Sequence, residues 1–552
     1  MPPSLQRIRA LAVELGIDEP ESVLRARSAQ ALGIPMEEVR GLRIARRSLD
    51  ARWRGGGRAR RRELRFVVHV DLELDGEFRS ASLERALKSG RARRVEAPIG
   101  FELVAFDETW RGRRVVVVGS GPAGLYAAWT LACHGVGVDL IDRGPALRER
   151  SRAVAHFMHT RELDPERNLL FGEGGAGTYS DGKLYTRTQH ALETPILETL
   201  IDAGAEPEIA YDARAHVGTD RLHRILPRLR ARLESMGVRF HFETRLESLE
   251  IVSSGTARRV QTIRTSRGDL ACDGAVLALG HSARDTVRSL AEQGLVCEAK
   301  PFQLGLRIEH PQSLVDQGRF GEEADIARLG HAYYGLACQA DRNHAAVHSF
   351  CMCPGGQIVA AVAQPGLLCT NGMSNSRHSS PWANSGLVVT HGPREFGAEA
   401  FDGYAYQEEL ERRFFEAGGS SYAVPAQRVP DFLVGRPTAE LGSSSYKLGL
   451  QPARIDALLP ESITLSLRRA IERFDRQLPG FASAEGLLVG VESRSSGPLR
   501  MPRGDRTRLA RGFENLWPVG EGAGYAGGIM SAAIDGARSA WALLGYLEDD
   551  RG

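Results

Sequence analysis

The sequence predicts an α/β protein in which a Rossmann-type domain is split by an inserted, mixed β/α cap domain and preceded by a small α+β domain. Three observations predict this fold class. A glycine-rich turn follows an apolar strand near residue 114, a second such turn lies close to the C-terminus, and the segment between them combines short β-like runs with helical patterns. We expect the N-terminal domain at 1–105, the two parts of the split domain at 111–300 and 485–552, and the cap at 301–484.

The composition is that of a globular protein with a large core. The chain has 552 residues, of which 42% are hydrophobic and 25% charged, and these values exclude a mostly disordered or collagen-like chain. The net charge of +2 gives no whole-protein field that attracts nucleic acid or membranes. Seven cysteines without regular spacing and a charged N-terminus without an apolar signal segment favour a cytoplasmic protein. The apolar run Val115–Ile141 is rich in glycine, which fits buried strands and a helix better than a membrane span.

The first 105 residues are predicted to form a separate α+β domain. Leu5–Leu15 and Glu21–Leu32 have the apolar spacing of helices, whereas Phe66–Leu74 alternates like a half-buried strand. Between them, Arg43–Arg65 contains ten arginines. Such a stretch is typical either of an RNA- or phosphate-binding loop or of a solvated turn in a protein that uses arginine far more than lysine. The second interpretation is favoured because no RNA-binding signature accompanies the run.

A complete dinucleotide-binding fingerprint opens the second domain. Arg114–Val118 is predicted to be a buried parallel strand, Leu125–His134 a buried helix, and Gly137–Asp142 a second strand. The turn Gly119–Gly124 has the G-x-G-x-x-G pattern, in which the glycines make a tight turn, let the backbone approach a pyrophosphate and let the helix pack on the strand. Asp142 lies 18 residues past Gly124 and is placed to accept from a ribose hydroxyl, which favours FAD or NAD over NADP.

Two further glycine segments decide between these cofactors. Gly172–Gly177 is followed by turn formers, so it is predicted to be a loop that brings backbone amides and polar side chains to a ligand. Gly522–Gly527 precedes a late helix, Ile529–Leu547, after which too few residues remain for another strand. That helix is expected to close the first domain and to direct its N-terminal dipole at the reactive end of the ligand. A returning segment of this kind favours FAD, and the single fingerprint argues against a separate NAD(P)H domain.

Beyond the fingerprint, the chain resembles the family of uncharacterised FAD-dependent dehydrogenases of bacteria over nearly its whole length. This family combines a small N-terminal domain with a two-domain flavoprotein body. The resemblance is most specific from about residue 114 onward. The motifs that carry it are Asn168–Leu184, Gly280–Thr286, Lys300–Phe302, Arg307–Pro311, Ser349–Gly356, Asn371–Ser374, Val491–Arg494 and Pro518–Ser531.

The resemblance implies bound FAD and a set of cofactor contacts. The ADP half of FAD is implied to lie on the first glycine turn and at Asp142, and the flavin beside the second glycine loop and the late helix. Glu521 occupies the position at which related flavoproteins place an acid near the ribityl chain or the pyrophosphate. The residues assigned to the cofactor are Gly119, Gly121, Pro122, Ala123, Gly124, Asp142, Arg143, Gly174, Gly175, Gly177, Ser180, Asp181, Lys183, Leu279, Gly280, His281, Gly520, Glu521, Gly528, Ile529 and Met530.

The candidates for catalysis are Cys353, His281 and Arg494. Cys351 and Cys353 are two apart and so face one side of a strand. They are predicted either to be buried structural thiols or to border the flavin, with Cys353 as the preferred proton donor or nucleophile. His281 could act as a general acid or base or pack on the cofactor, and Arg494 could anchor an anionic substrate or reduced flavin. Two such thiols supply too few ligands for a metal ion, so no metal site is predicted.

Together, these observations predict an FAD-dependent oxidoreductase that transfers hydride between bound flavin and an unidentified small organic substrate. Any NAD(P)H is expected to bind only transiently, and neither nucleic acid nor a membrane is expected as a partner. Two alternatives stay open. One is a flavin-dependent RNA-modifying enzyme that uses the basic N-terminal domain, and the other is a non-enzymatic, flavin-binding redox partner.

Overall fold

The N-terminal unit is a four-stranded antiparallel sheet whose core lies between one face of the sheet and two helices. The structure, a computed structural model, describes residues 5–54, 61–62, 64–95, 99–185, 190–255, 257–322 and 324–547. The elements of this unit are β1 (Leu5–Gly16), α1 (Val23–Leu32), β2 (Val39–Asp50), β3 (Trp53–Arg54), β4 (Arg61–Arg62), β5 (Arg65–Asp75), α2 (Ala81–Lys88) and β6 (Ala92–Arg94). The sheet order is β2-β5-β1-β6, which makes the unit a split βαβ fold. Alternate residues of β5, from Val68 to Leu74, are buried with apolar residues of α1 and α2.

A Rossmann-type domain follows. Its elements up to the cap are β7 (Arg114–Val118), α3 (Pro122–Cys133), β8 (Gly137–Ile141), α4 (Leu147–Thr160), α5 (Glu193–Asp202), α6 (Thr219–Ser235), β9 (Arg239–His241), β10 (Leu246–Ser254), β11 (Ala257–Thr265), β12 (Gly268–Ala271), β13 (Gly274–Leu277), α7 (Arg284–Glu292) and β14 (Glu298–Ala299). The strands β13, β7, β8 and β9 pair in parallel, and β10, β11 and β12 form a separate antiparallel sheet. All four valines of β7 are buried, as expected for a strand covered on both faces.

The C-terminal segment completes this domain. Its elements are β24 (Leu499–Arg500), β25 (Leu516–Pro518) and α15 (Ile529–Leu543), numbered after those of the cap. β25 adds to the parallel sheet beside β13, with Leu516 opposite Ala275, and gives the order β25-β13-β7-β8-β9. α15 packs on α3 so closely that a Cβ on Gly536 would lie 2.0 Å from the carbonyl oxygen of Ala123. The split Rossmann-type α/β fold predicted from the sequence is therefore confirmed.

The cap is built on a seven-stranded sheet. Its elements are β15 (Phe302–Pro311), α8 (Gln312–Phe320), α9 (Ile326–Leu329), β16 (Ala337–Cys338), β17 (Val347–Cys353), β18 (Gly356–Ala360), β19 (Thr370–Ser374), β20 (Trp382–His391), α10 (Pro393–Phe396), α11 (Asp402–Ala417), β21 (Val424–Arg428), α12 (Val429–Val434), β22 (Leu450–Pro452), α13 (Ile455–Leu458), α14 (Glu461–Asp475) and β23 (Leu487–Glu492). The strand order is β16-β17-β20-β15-β23-β21-β22, and β18 and β19 form a hairpin of their own. The apolar side chains of α11, α12 and α14 share one core with this sheet.

Two sequence-based expectations are wrong. Leu5–Leu15 is not a helix but most of β1, because a bulge between Ala10 and Val13 shifts the strand alternation by one residue and imitates helical spacing. The division at 484/485 is also misplaced, because β23 pairs with β15 and β21 inside the cap sheet. The apolar sequence Leu487–Glu492 predicts a buried strand but does not indicate which of two sheets it joins.

Part of the arginine-rich stretch contacts the Rossmann-type domain. The backbone of Arg47 donates to the carbonyl oxygen of Tyr211 over 2.7 Å, and its guanidinium lies 5.1 Å from the centre of the Tyr211 ring. The same guanidinium pairs with Glu21. Residues 55–60 and 63 of the stretch lie outside the described residues. Where the chain is described, no helix combines the length and the apolar character needed to cross a membrane.

Candidate functional site

The first glycine turn has the geometry that the fingerprint predicts. Gly119 has a φ of 108°, and a Cβ there would lie 2.2 Å from the carbonyl oxygen of Ala278. At Gly124 a Cβ would lie 1.9 Å from the carbonyl oxygen of Gly119, so neither position can carry a side chain. Directly after the turn, α3 begins at Pro122. The first turn of a helix has N–H groups without intrahelical partners, so this turn presents donors and a positive dipole to an anion.

The second glycine loop crosses the first turn. The amide of Gly174 donates to the carbonyl oxygen of Ser120 over 3.0 Å. The backbones of Gly175 and Gly121 approach so closely that a Cβ on Gly175 would lie 3.0 Å from the Cα of Gly121. The predicted ligand loop and the predicted pyrophosphate turn are therefore in direct contact.

The closing segment reaches the same place. Gly177 of the second loop lies against Ile529, the first residue of α15. The backbone of Gly522 lies against that of Gly280, in the turn after β13. A Cβ at Gly280 or Gly528 would meet no described atom within 4 Å, so the N-terminus of α15 borders open space. Three segments that are far apart in the sequence thus surround one cradle.

Asp142 holds the two glycine segments together. Its Oδ2 accepts hydrogen bonds from the backbone amide and the hydroxyl of Ser120 at 2.8 and 2.7 Å. Its Oδ1 accepts from the amides of Gly144 and Gly172, both at 2.9 Å. The carboxylate is buried and has four partners within the protein. Its contact with a ribose hydroxyl stays a prediction.

Three further charged residues of the predicted set lie around the cradle. Arg143 forms ion pairs with Glu166 at 2.6 Å and with Asp285 at 2.7 Å. The Nδ1 atom of His281 lies 3.6 Å from Oε2 of Glu521, and both side chains are mostly buried. The structure therefore brings His281 and Glu521 together, although they are 240 positions apart in the sequence.

The remaining predicted cofactor residues lie on these same segments. Pro122 and Ala123 lie in the first turn of α3, and Met530 lies in the first turn of α15. Leu279 lies in the turn after β13, and Gly520 lies in the turn after β25. The Ser180 hydroxyl donates to the carbonyl oxygen of Gly177 within the second loop.

Lys183 follows the second glycine loop, and its side chain contacts the cap. Its ammonium pairs with Asp181 at 3.2 Å and donates to the carbonyl oxygen of Met352. It lies 3.7 Å from the sulfur of Cys351 and 3.9 Å from the sulfur of Cys353. Both thiols at the end of β17 therefore face one cation.

Arg307 approaches the same thiols from β15. The guanidinium is completely buried and donates to Oε2 of Glu492, Oδ1 of Asn384 and the carbonyl oxygen of Cys351, each over 2.8 Å. A Cβ on Gly372 would lie 2.1 Å from the Nη2 atom, so glycine is needed there for the guanidinium to fit. We name the group around the two sulfurs the thiol cluster; its members are Asp181, Lys183, Arg307, Cys351, Cys353 and Glu492.

The thiol cluster contains groups whose pKa values are strongly displaced. A hydrogen bond with Cys353, and after it the charges of Lys183 and Arg307, hold the pKa of Cys351 well below its usual value. The same hydrogen bond and burial raise the pKa of Cys353 well above it. Burial raises the pKa of Glu492 to about 7, against the effect of Arg307. The arrangement thus favours a thiolate at Cys351 and a carboxyl group at Glu492 that titrates near neutral pH.

Arg494 lies in a different buried group, which we name the Glu411 cluster and which consists of Arg284, Glu411 and Arg494. The Glu411 carboxylate accepts from both guanidiniums at 2.6 to 3.0 Å, two hydrogen bonds from each, and from the hydroxyl of Ser493 at 2.6 Å. Burial would raise the pKa of Glu411, but the two arginines outweigh it and hold that pKa well below its usual value. Arg494 has the partners of a structural ion pair, so the geometry gives no support to its predicted catalytic role.

Sequence reasoning missed several residues of these two clusters. The sequence favours Cys353 over Cys351 and does not single out Glu411, Glu492 or Gly372, the last of which lies beside the thiol cluster. Glu492 and Gly372 lie within segments that carry the family resemblance, and that signal could have found them. Glu411 lies in an ordinary amphipathic helix, where one carboxylate gives no sign that it will be buried between arginines.

Comparison with known proteins identifies the chain as a flavoprotein. A family described as FAD binding domain matches residues 113–288, and one described as FAD-dependent protein, C-terminal domain-like, matches 301–495. A domain of unknown function matches residues 5–55. An uncharacterized protein of Clostridium beijerinckii (strain ATCC 51743 / NCIMB 8052) is 35% identical over 537 residues, which cover 97% of this chain and 98% of that protein. The chain belongs to the same family as this protein, a family of FAD-dependent proteins.

Two solved structures are similar over much of the chain. Glycine oxidase from Bacillus cereus ATCC 14579 is 11% identical, with 81% of this chain and 99% of that chain covered and a TM-score of 0.31. L-proline dehydrogenase from P. horikoshii is also 11% identical, with 79% and 94% covered and a TM-score of 0.33. At these TM-scores the likenesses identify neither the substrate nor the reaction.

The geometry fits FAD as the cofactor. Gly119 and Gly124 make the turn tight, because protein backbone lies 2.2 and 1.9 Å from a Cβ at these positions, whereas at Gly121 the nearest atom lies 3.8 Å from a Cβ, so a diphosphate can approach the N-terminus of α3 there. The open space at Gly280 and Gly528 lies at the N-terminus of a second helix, α15, where the dipole favours negative charge. The first turn would hold the ADP portion, the second loop would run beside the pyrophosphate and the flavin, and the segments around Gly280 and α15 would also border the flavin.

Proposed function

We propose that the protein is an FAD-dependent oxidoreductase that transfers hydride between the flavin and a small organic substrate bound between the Rossmann-type domain and the cap. One observation carries this proposal: the loop that forms part of the cradle continues directly into the thiol cluster. Lys183 is six residues past Gly177, and its ammonium lies among the two cap thiols. A cluster of titratable groups with displaced pKa values beside a cofactor cradle is characteristic of a catalytic site.

Bound FAD would supply the acceptor or donor of hydride, and the chain would supply orientation and protons. Glu492 can hold or release a proton near neutral pH because burial raises its pKa to about 7. Lys183 and Arg307 provide the positive charge that favours a thiolate at Cys351. His281 and Glu521 lie 3.6 Å apart and would orient the bound cofactor.

The path of the chain supports access for a small molecule. Tyr185, two residues after Lys183, has 45% of its surface exposed, so the chain passes from the cluster to solvent within a few residues. Free cysteines throughout the described chain support a reducing compartment, and we propose the cytoplasm. We also propose that the N-terminal unit, up to about residue 105, is an accessory domain and that NAD(P)H, if used, binds transiently.

Anaerobic reduction of the holoprotein tests the proposed function. The protein is mixed with NADH, NADPH and a panel of reduced metabolites, and the visible absorption of the flavin is followed, with free FAD as the matched control. We expect at least one compound to bleach the bound flavin faster than free FAD, and an oxidised metabolite to restore its absorption. A flavin that dithionite reduces but no biological reductant does would overturn the proposal in favour of a non-enzymatic flavin protein. Salt-sensitive RNA binding by the full chain would favour the RNA-modifying alternative.

A further inference from the structure

We propose that Cys351 is a nucleophilic thiolate that forms a covalent bond to an electrophilic carbon of the substrate, a conjugated carbonyl compound. The proposal rests on the proposed oxidoreductase function for the identity of the substrate site, but the reactivity of the thiol can be measured without turnover. It assigns a covalent role to a residue that sequence reasoning ranked below its neighbour.

The surroundings of Cys351 are those of a stabilised anion. The sulfur lies 3.7 Å from the ammonium of Lys183, and the carbonyl oxygen of the same residue accepts from Arg307 over 2.8 Å. Cations at this distance favour a thiolate over a thiol, and the thiolate is the nucleophilic form. The titratable or charged groups that face Cys351 come from several elements of the fold: Asp181, Lys183 and Tyr185 from the second loop, Arg307 from β15, Cys353 from β17 and Glu492 from β23.

Burial and hydrogen bonding distinguish the two thiols. Cys353 is completely buried, whereas Cys351 is only partly buried. The sulfur of Cys353 donates to the carbonyl oxygen of Cys351 over 3.3 Å, a role that requires its proton. Cys353 is therefore the protonated member of the pair, and Cys351 is the member that a small molecule can reach.

The backbone at Cys351 supports a role beyond packing. Its φ is 45°, in the left-handed region that residues other than glycine rarely adopt. The irregularity lies in β17, where the pairing with β20 shifts register between Phe350 and Cys353. Such bulges redirect side chains and are frequent beside active sites, and a backbone in this conformation persists only where the surroundings impose it.

The cluster can balance the charge of the thiolate. Asp181 and Glu492 together compensate Lys183 and Arg307, so a thiolate adds one negative charge to a buried group. Glu492 can offset that charge by taking up a proton, since burial places its pKa at about 7. The thiolate and a neutral Glu492 thus form a state with no net charge in the cluster, which burial favours.

The proposed step is an addition. The Cys351 sulfur donates its electron pair to the β-carbon of the conjugated carbonyl compound and forms a C–S bond, while the π bond between the α- and β-carbons breaks. The electron pair of that bond passes to the α-carbon, which takes a proton from the Lys183 ammonium. Lys183 regains a proton through solvent from Glu492, which took up the proton of Cys351 when the thiolate formed, so protons and charge balance. The reaction needs no oxidant or reductant. Conjugated carbonyl compounds are related to saturated ones by hydride transfer, which is the chemistry proposed for the flavin.

Alkylation of the holoprotein tests the proposal. Iodoacetamide reports the thiolate and acrylamide serves as a conjugated carbonyl probe; labelling is followed residue by residue by mass spectrometry from about pH 5 to 9. Cys133 and Cys297 are internal controls, because both are only partly buried and burial raises the pKa of each to about 11. We expect Cys351 to react with both probes faster than the controls, with a rate that is already at its plateau below the usual thiol pKa of about 8.5.

Two variants sharpen the test. Lys183→Met should slow alkylation of Cys351 about 10-fold or more at pH 7 and move its profile to higher pH, whereas Lys183→Arg should keep most of the reactivity. Cys353→Ala should move the profile in the same direction by at least as much, because the hydrogen bond with Cys353 is the largest cause of the lowered pKa of Cys351. The proposal is overturned if Cys351 reacts no faster than Cys133 and Cys297, or if its rate rises like that of an ordinary thiol. Fast labelling in a protein whose flavin no biological reductant reduces would reject the oxidoreductase function and leave a reactive thiolate.

Discussion

The thiol cluster and the Glu411 cluster are both buried, both contain two cations and both join the cap to the Rossmann-type domain, yet they differ in the groups that face those cations. In the Glu411 cluster one carboxylate receives two hydrogen bonds from each of two guanidiniums and lies at the centre of a closed set of partners. In the thiol cluster the cations meet an acid with a pKa of about 7 and a thiol with a lowered pKa. The first cluster keeps one charge state through the neutral range, and the second changes its charge there.

This difference shows how a buried ion pair can be assigned a role. Arg494 and Arg307 are both buried arginines within family-like motifs, and the sequence gives no ground for separating them. The partners separate them: Arg494 pairs with a carboxylate held ionised, whereas Arg307 lies beside groups that titrate. A buried cation whose partner is a carboxylate with a lowered pKa favours a structural role. A buried cation beside groups whose pKa values are shifted towards the neutral range favours a role in catalysis.

The largest expected effect is on stability. Glu411→Gln leaves Arg494 buried without its paired carboxylate and Arg284 with only Glu408, 3.7 Å away, and we expect it to lower the free energy of unfolding by about 3–5 kcal/mol. The measurement is urea unfolding at neutral pH. The matched control is Glu409→Gln on the same helix, where the side chain is 57% exposed and pairs with Arg412. The control should cost less than about 1 kcal/mol. Equal losses in the two variants would contradict a structural role for the Glu411 cluster.

The next effect is a pH dependence. Burial raises the pKa of Glu492 from the ordinary value of 4.5 to about 7, so the folded protein holds a proton that the unfolded chain releases. This contribution to stability is complete below about pH 4.5 and is lost as the pH rises through about 7. Relative to Glu492→Gln, the native protein should lose up to about 3 kcal/mol between about pH 5 and 8 in urea unfolding. Parallel pH profiles for the two proteins would show that Glu492 does not titrate in this range.

A smaller effect is expected at Gly372. Gly372→Ala places a Cβ 2.1 Å from the Nη2 atom of Arg307 and 2.4 Å from Oδ1 of Asn384, so the guanidinium has to move. We expect a loss of about 1–3 kcal/mol of unfolding free energy and slower alkylation of Cys351. Gly335→Ala is the control, because a Cβ there meets no described atom within 4 Å. If both variants behave alike, the position of the Arg307 guanidinium does not require glycine at position 372.

The Rossmann-type domain could be predicted from the sequence because its signals are local. The strand, turn, helix and second strand from Arg114 to Asp142 follow one another without interruption, and each pattern has one physical interpretation. The late helix, α15, is also predicted, because a glycine-rich turn precedes it. Prediction from the sequence fails where a local pattern has two interpretations. In β1 a bulge imitates helical spacing, and the sequence of β23 is compatible with pairing in either of two sheets.

The candidate site could be predicted only in part, because its cap half depends on contacts between distant residues. Lys183 and Cys351 are 168 positions apart, and Arg307 and Glu492 are 185 apart. Spacing predicts that the two thiols share a face, but not which one is exposed or which cation approaches it. Cys353 lies directly before Pro354, Gly355 and Gly356, which favours it as the reactive thiol in the sequence, whereas burial favours Cys351.

The most direct test of FAD binding is the absorption spectrum of the purified full-length chain. The cofactor is then released by denaturation and identified by chromatography. We expect a flavin spectrum and about one FAD, not FMN, for each chain, since the turn from Gly119 to Gly124 matches the fingerprint of a dinucleotide and leaves space at Gly121. A colourless protein that takes up no FAD on reconstitution would contradict the account.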